Sequence, residues 1–379
     1  MDVKIGRPNF DDLIIGQHRI RNDLYGDAFE LLSPPDLAGN DTLIGRKGAE
    51  NNMYGDAYRL DVDGGNDLLV GGGRGINTMY GDGYAMDGRG GHDVMKGGNN
   101  SINTMFGDVN GFDGIGGNDT ITGGKNSLNV IYGDADYIYW EGVGGSDVLT
   151  GGRNSINYIY GDTRALPQAY CGNDTIRGGD NSANWLFGDA ETTTYSRLGN
   201  DTIIAGKGGV NYMFGDVQYQ SFVGFVGHDR LISNTGIDHM YGDSMNSDDY
   251  YDPGSDVFVF KANSGTDFIY DFQQGFDRIE VDLPQILVPP AGFKEYGNAA
   301  NKLIGRLDNL KDHIVQVVDK VAADVEDAWK QAEKALQPIS RPYSFEDLKI
   351  TEFKHETLGD STVIALTTRT RSPSMASPA

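Results

Sequence analysis

The sequence predicts an all-β fold: a right-handed parallel β-helix solenoid of about nine coils, with a C-terminal antiparallel cap and one inserted amphipathic helix. Three observations lead there. One motif returns every 26–29 residues between Asp12 and Asp256. Spacing inside the motif is constant, whereas spacing between motifs is not. Two short runs in each motif alternate apolar and polar residues, the period of a strand with one buried face.

The columns align by counting. The first is an Asp with Gly two positions earlier: Asp41, Asp67, Asp93, Asp119, Asp147, Asp174, Asp201, Asp229 and Asp256. Ten residues on stand Asn51, Asn77, Asn103, Asn129, Asn157, Asn184 and Asn211; the last unit has Asp238, nine on. Five further on is a Gly-Asp pair, ending in Asp56, Asp82, Asp108, Asp134, Asp162, Asp189, Asp216 and Asp243. An opening copy, Asp12, Asn22 and Asp27, has Phe10 where the Gly belongs. First Asp to Gly-Asp is 15 residues (14 in the last unit), and Gly-Asp to the next first Asp is 11–14. Stacking fixes a coil and leaves insertions to one loop face, so a solenoid requires this asymmetry.

Two strands fit each unit. The first places Leu43, Leu69, Met95, Ile121, Leu149, Ile176, Ile203 and Leu231 inward. The second does the same with Met53, Met79, Met105, Ile131, Ile159, Leu186, Met213 and Met240. The next residue is always aromatic, from Tyr25 and Tyr54 to Phe214 and Tyr241, and alternation points it outward. The segment after each Gly-Asp reads as a loop on the Asp-bearing edge.

These residues carry a resemblance. The Gly-x-Asp-x-apolar grammar over residues 9–280 resembles the calcium-binding repeats of the repeats-in-toxin (RTX) proteins, built on Gly-Gly-x-Gly-x-Asp-x-apolar-x. Here one edge carries two Asp columns and the other carries Gly-Gly-x-x-x-x-Asn. The resemblance implies a β-roll that binds calcium, is secreted and acts outside the cell, and leaves by type I export. It also implies that Asp256–Ile279 runs into a small antiparallel β cap similar to that of serralysin-type proteins.

Composition agrees. The net charge is −24 with 54 Gly. Carboxylates stacked about 5 Å apart repel by roughly 3 kcal/mol per neighbouring pair at an effective dielectric near 20. The chain is therefore expected to be disordered without calcium and folded with it. One cysteine, Cys171, rules out an internal disulfide. No run of 18 apolar residues marks a transmembrane segment, and no apolar signal core opens the chain. The acidic balance disfavours nucleic acid.

The chain divides into 1–256, the calcium-binding roll, and 257–379, the cap with its helix and a tail. Over 301–336, Leu303, Leu307, Leu310, Ile314, Val317, Val321, Val325 and Trp329 recur at three- and four-residue steps, predicting the amphipathic helix. It either packs on the roll or meets a partner. Thr362–Leu366 reads as the last strand.

Calcium takes six to eight oxygens at about 2.3–2.6 Å. The expected ligands are Asp27, Asp41, Asp56, Asp67, Asp82, Asp93, Asp108, Asp119, Asp134, Asp147, Asp162, Asp174, Asp189, Asp201, Asp216, Asp229, Asp243 and Asp256, with multiple ions in a row between adjacent coils. The competing role is turn capping by Asp. The Asn column reads as an amide ladder or as a second calcium edge. The aromatic column and the loop aromatics, such as Tyr139, Trp140 and Tyr170, read either as a satellite core or as a surface for a polysaccharide or cell-surface ligand. No catalytic motif appears: His-Glu-x-x-His, Gly-x-Ser-x-Gly and a phosphate loop are all missing. The expected function is a calcium-folded surface, adhesion or matrix module. The alternative is a calcium-dependent polysaccharide-active enzyme (lyase, hydrolase or epimerase) on the aromatic loop face.

Overall fold

Eight Gly-Asp pairs, from Gly26-Asp27 to Gly215-Asp216, each stand between the end of one strand and the start of another. The computed structural model describes residues 1–31, 38–220, 224–245, 254–261 and 264–282, with the strands Phe353–Leu358 and Ser361–Leu366. A typical coil holds three strands, Thr42–Ile44, Glu50–Tyr54 and Ala57–Leu60. Stacking of like on like builds two eleven-stranded sheets and one eight-stranded sheet, and all of their pairings are parallel.

Register is strict. Met95 lies between Leu69 and Ile121, and Met105 between Met79 and Ile131. The two inward columns meet in one fully buried core running from Leu24 to Phe258. Burying each such side chain contributes about 1.5–3 kcal/mol. The aromatic column faces away from this core, as alternation requires, yet it is not exposed. Tyr80, Phe106, Tyr132, Tyr160, Phe187, Phe214 and Tyr241 form a second buried cluster, with ring centroids 4.8–5.0 Å apart between successive coils from Tyr80 onward. Residues of the third strand lean on it edge-to-face, as Tyr58 does on Tyr54 and Tyr84 on Tyr80.

Three expectations need correction. The first concerns the segment after Gly-Asp, which is a strand with its own core. Ala57 and Leu60, Val109 and Phe112, and Ala135 and Ile138 are buried there, together with Leu31, Met86 and Leu166. Their spacing is i, i+3, with both intervening residues outside the core, so the alternation rule does not register it.

The second correction is to the cap. Val257–Lys261, Gly265–Ile269 and Arg278–Asp282 pair in parallel with the preceding coil and prolong the solenoid. The antiparallel pairing among the described residues is the hairpin Phe353–Leu358 with Ser361–Leu366, which contains the expected last strand. The third correction is to the fold class. The described residues up to Asp282 form an all-β parallel solenoid of three stacked sheets, and no helix occurs among the described residues. The segment 301–336, where an inserted helix was expected, lies outside the described residues. No helix among the described residues is long and apolar enough to cross a membrane.

Candidate metal centre

Two aspartate ladders line the neck where the third limb leaves the coil and rejoins it. Gly-Asp stands at the exit and Gly-x-Asp at the return. On the return side, each backbone N–H donates to the Asp one coil on: Asp41 to Asp67 Oδ1 at 2.5 Å, Asp93 to Asp119 at 2.7 Å, and Asp229 to Asp256 at 2.8 Å. On the exit side, each Asp carboxylate accepts from the Gly that opens the next motif. Gly65 N–H donates to Asp56 at 2.9 Å, Gly145 to Asp134 at 2.8 Å, and Gly199 to Asp189 at 2.8 Å. These bonds close the third limb and fix each carboxylate's orientation.

They also leave half of most carboxylates unsatisfied. All eighteen expected ligands are buried in the two ladders. In sixteen of them one oxygen is buried with no hydrogen-bond partner; Asp82 and Asp108 are the two exceptions. Both oxygens of those two accept from a Gly N–H, at 3.2 Å from Gly91 and 3.0 Å from Gly117. Burial raises the carboxyl pKa to about 6 at Asp27 and Asp162, about 7 at Asp41 and Asp82, and about 8 at Asp256. Asp67, Asp119 and Asp201 are pushed well above the carboxylate range for the same reason.

The structure brings eight of the eighteen into tight groups. Asp27, Asp41 and Asp56 present oxygens that all lie within 4.8 Å of one another, as do Asp82, Asp93 and Asp108; Asp162 and Asp189 form a third group with Cys171. The other ten, Asp67, Asp119, Asp134, Asp147, Asp174, Asp201, Asp216, Asp229, Asp243 and Asp256, continue the same ladders without falling into such a group.

The neck has room only because its glycines lack a side chain. A Cβ at Gly55, Gly81 or Gly133 would fall well inside 3.0 Å of the orphaned Oδ2 of Asp67, Asp93 or Asp147. Anionic oxygen donors, orphaned buried oxygens and a cradle that a Cβ would fill together fit a hard, oxygen-seeking cation such as calcium. Such an ion would be held by Asp27, Asp41 and Asp56, or by Asp82, Asp93 and Asp108. It would supply the positive charge these carboxylates lack.

The Asn edge behaves differently. Asn103 Nδ2 donates to Asn129 Oδ1 at 2.8 Å and to Gly98 O at 2.9 Å, while its own Oδ1 accepts from Gly98 N–H and Asn77 Nδ2 at 2.8 Å. The ladder runs from Asn22 to Asp238, and its Asn side chains are fully buried and fully paired. It is an amide ladder. The left-handed corner lies three residues earlier, at Asn100, Asn126, Asn154 and Asn181, with φ of 52–55°. His92 and His228 occupy the exposed x position of Gly-x-Asp, where their Nδ1 accepts from Asn118 and Ser255 N–H.

Sequence reasoning missed three residues here. Asp271 and Asp277 continue the ladders: Asp271 accepts from Gly242 and Asp243 N–H at 2.8 and 3.0 Å, and Asp277 from Asp256 N–H at 3.0 Å. Gly275-Phe276-Asp277 repeats the Gly-x-Asp signature and could have been counted. Cys171 is the third, and no spacing rule placed its sulfur on the ladder. Burial, then the nearby carboxylates, pushes its thiol well above its ordinary value.

No model of a known protein family matches the chain, and no curated protein matches it. The fold is a parallel β-solenoid with buried acidic ladders, consistent in general with the β-roll superfamily.

Proposed function

We propose that this chain is a secreted, RTX-like calcium-binding repeat protein that folds when extracellular calcium fills its aspartate ladders. The observation that carries the reading is the contrast between the two edges of one coil. At equal burial, the Asn ladder satisfies every polar atom internally, whereas sixteen aspartates keep a partnerless oxygen. Desolvating an unpaired anion costs several kcal/mol, so such a row is stable only with a cation in it or with its carboxylates protonated. Extracellular calcium modules commonly bind in the range of about 10⁻⁴–10⁻³ M, which suits a chain that stays unfolded inside the cell and folds outside it.

In this reading the folded solenoid serves as a surface, adhesion or ligand-binding module. The stacked aromatic column is not the binding face, because its ring faces are covered by one another. Exposed aromatics outside the strands include Tyr139, Trp140, Tyr170 and Phe225, with Arg197 packed over Phe225 at 4.7 Å. A polysaccharide is the ligand class they suit. The acidic surface suits partners other than nucleic acid.

Circular dichroism with calcium and with chelator, paired with metal counting, tests the proposal. The expected result is a β spectrum only with calcium and several ions per chain. A chelated chain at neutral pH with an undiminished β spectrum overturns it.

A further inference from the structure

The residue just before the Gly of Gly-x-Asp occupies a slot of its own. It is Gly64, Gly90, Gly116 and Gly144 in four successive coils, then Cys171, Leu198 and Val226. At each of those four glycines a Cβ would fall inside 3.0 Å of a Gly-Asp carboxylate one coil on, at Asp82, Asp108, Asp134 and Asp162 respectively. The slot therefore opens directly onto the ladder, and at Cys171 it holds the chain's single thiol. Its sulfur and one oxygen each from Asp162 and Asp189 lie within 4.8 Å of one another. Both carboxylates are fully buried, and Oδ2 of each has no partner.

We propose that Cys171, Asp162 and Asp189 form a mixed thiolate–carboxylate site for a zinc-class divalent cation, set within a row of all-oxygen sites. The proposal rests on the reading that the ladders hold divalent cations, and it assigns one rung a different ion. Zinc-class ions take Cys sulfur at about 2.3 Å and Asp oxygen at about 2.0–2.2 Å, usually with four ligands. Calcium seeks six to eight oxygens and gains little from sulfur. On binding, the Cys171 S–H bond breaks, a sulfur lone pair forms the bond to the metal, and the proton passes to solvent. Leu198 and Val226 fill the same slot without a donor, so it is the sulfur that distinguishes this rung.

The test uses the full chain saturated with calcium and titrated with Cd²⁺, a zinc-class ion whose thiolate complex absorbs in the ultraviolet. One equivalent is expected to produce the sulfur-to-metal band and to slow alkylation of Cys171 by at least about tenfold, because a metal-bound thiolate is withdrawn from reaction. The isosteric C171S is expected to lose the band. A band that survives in C171S, or an alkylation rate in the unsubstituted chain unchanged by Cd²⁺, overturns the site. The alkylation arm needs no variant to fold. Calcium counting without Cd²⁺ reports separately on the ladder reading: a chain that binds no calcium but shows the thiol band loses the calcium row and keeps this site.

Discussion

The backbone N–H of Asp93 donates to Oδ1 of Asp119 at 2.7 Å, while Oδ2 of the same carboxylate is buried without a partner. One oxygen of Asp119 builds the coil and the other asks for a cation. The two roles separate by experiment.

Asp119→Asn keeps the oxygen that accepts from Asp93 and removes one negative charge. In calcium, affinity at the adjoining rungs is expected to fall at least about tenfold, or ~1.4 kcal/mol. In chelator the variant is expected to be more stable than the parent, because one term of the ladder's repulsion is gone. Urea melts in calcium, and the residual β signal of variant and parent in chelator, measure both signs. Equal destabilisation in both would leave Asp119 as a turn former only.

Acid should substitute for the metal. Burial raises Asp41 and Asp82 to about 7 and Asp256 to about 8, against about 3.9 in an unfolded chain. A carboxyl raised in the fold binds its proton more tightly there than in the unfolded chain. Its stabilising contribution is therefore complete below about pH 4 and is lost as pH climbs through 7–8. Chelated protein is expected to gain β signal on acidification from pH 8 to pH 5. Calcium affinity is expected to fall over the same range, since protons and calcium compete for one set of oxygens. Dichroism and calcium titration along a pH series check both trends.

Asn129→Ala tests the opposite edge. It removes the acceptor of Asn103 Nδ2 and Gly124 N–H and the donor to Asn157 Oδ1 and Gly124 O. Each stranded buried group costs about 1–3 kcal/mol, so a loss of at least ~3 kcal/mol is expected. Any folded fraction should retain the parent's full calcium count. A drop in bound calcium would reopen the case for a second metal edge.

Gly133→Ala places a Cβ inside 3.0 Å of both the Gly161 carbonyl and Asp147 Oδ2. Backbone and ladder cannot both yield, so this single methyl is expected to cost at least as much as the Asn change. It should also abolish calcium binding at its rung, read as a lower Tm and a lower metal count. Lys125→Ala, on an exposed side chain of the opposite turn, is the control and should change neither.

Much of this molecule can be read by counting. Columns of Asp, Asn and Gly-Asp separated by fixed intervals leave a parallel solenoid as the arrangement that aligns them, because each residue then stacks on its own kind. That reasoning placed Leu149 and Ile159 in the core and Asp119 and Asp134 on the neck. It failed at the third sheet, where Val109 and Phe112 are buried three residues apart and break the alternation on which strand recognition relies. It failed again at Asp271, where Tyr270 stands in place of the Gly of Gly-Asp, and at Asp277, whose Gly-x-Asp signature was absorbed into an expected cap although parallel pairing simply continues.

The sequence by itself determined the period, the identity of each stacked column and the excess of negative charge along one edge, since all three are properties of spacing and composition. Tertiary structure alone decided which carboxylate oxygens find a partner, that the aromatic column is roofed by a third strand, and that the Cys171 sulfur meets Asp162 and Asp189. Those outcomes depend on distances across coils 26–29 residues apart, which the order of residues does not encode until the coils are stacked.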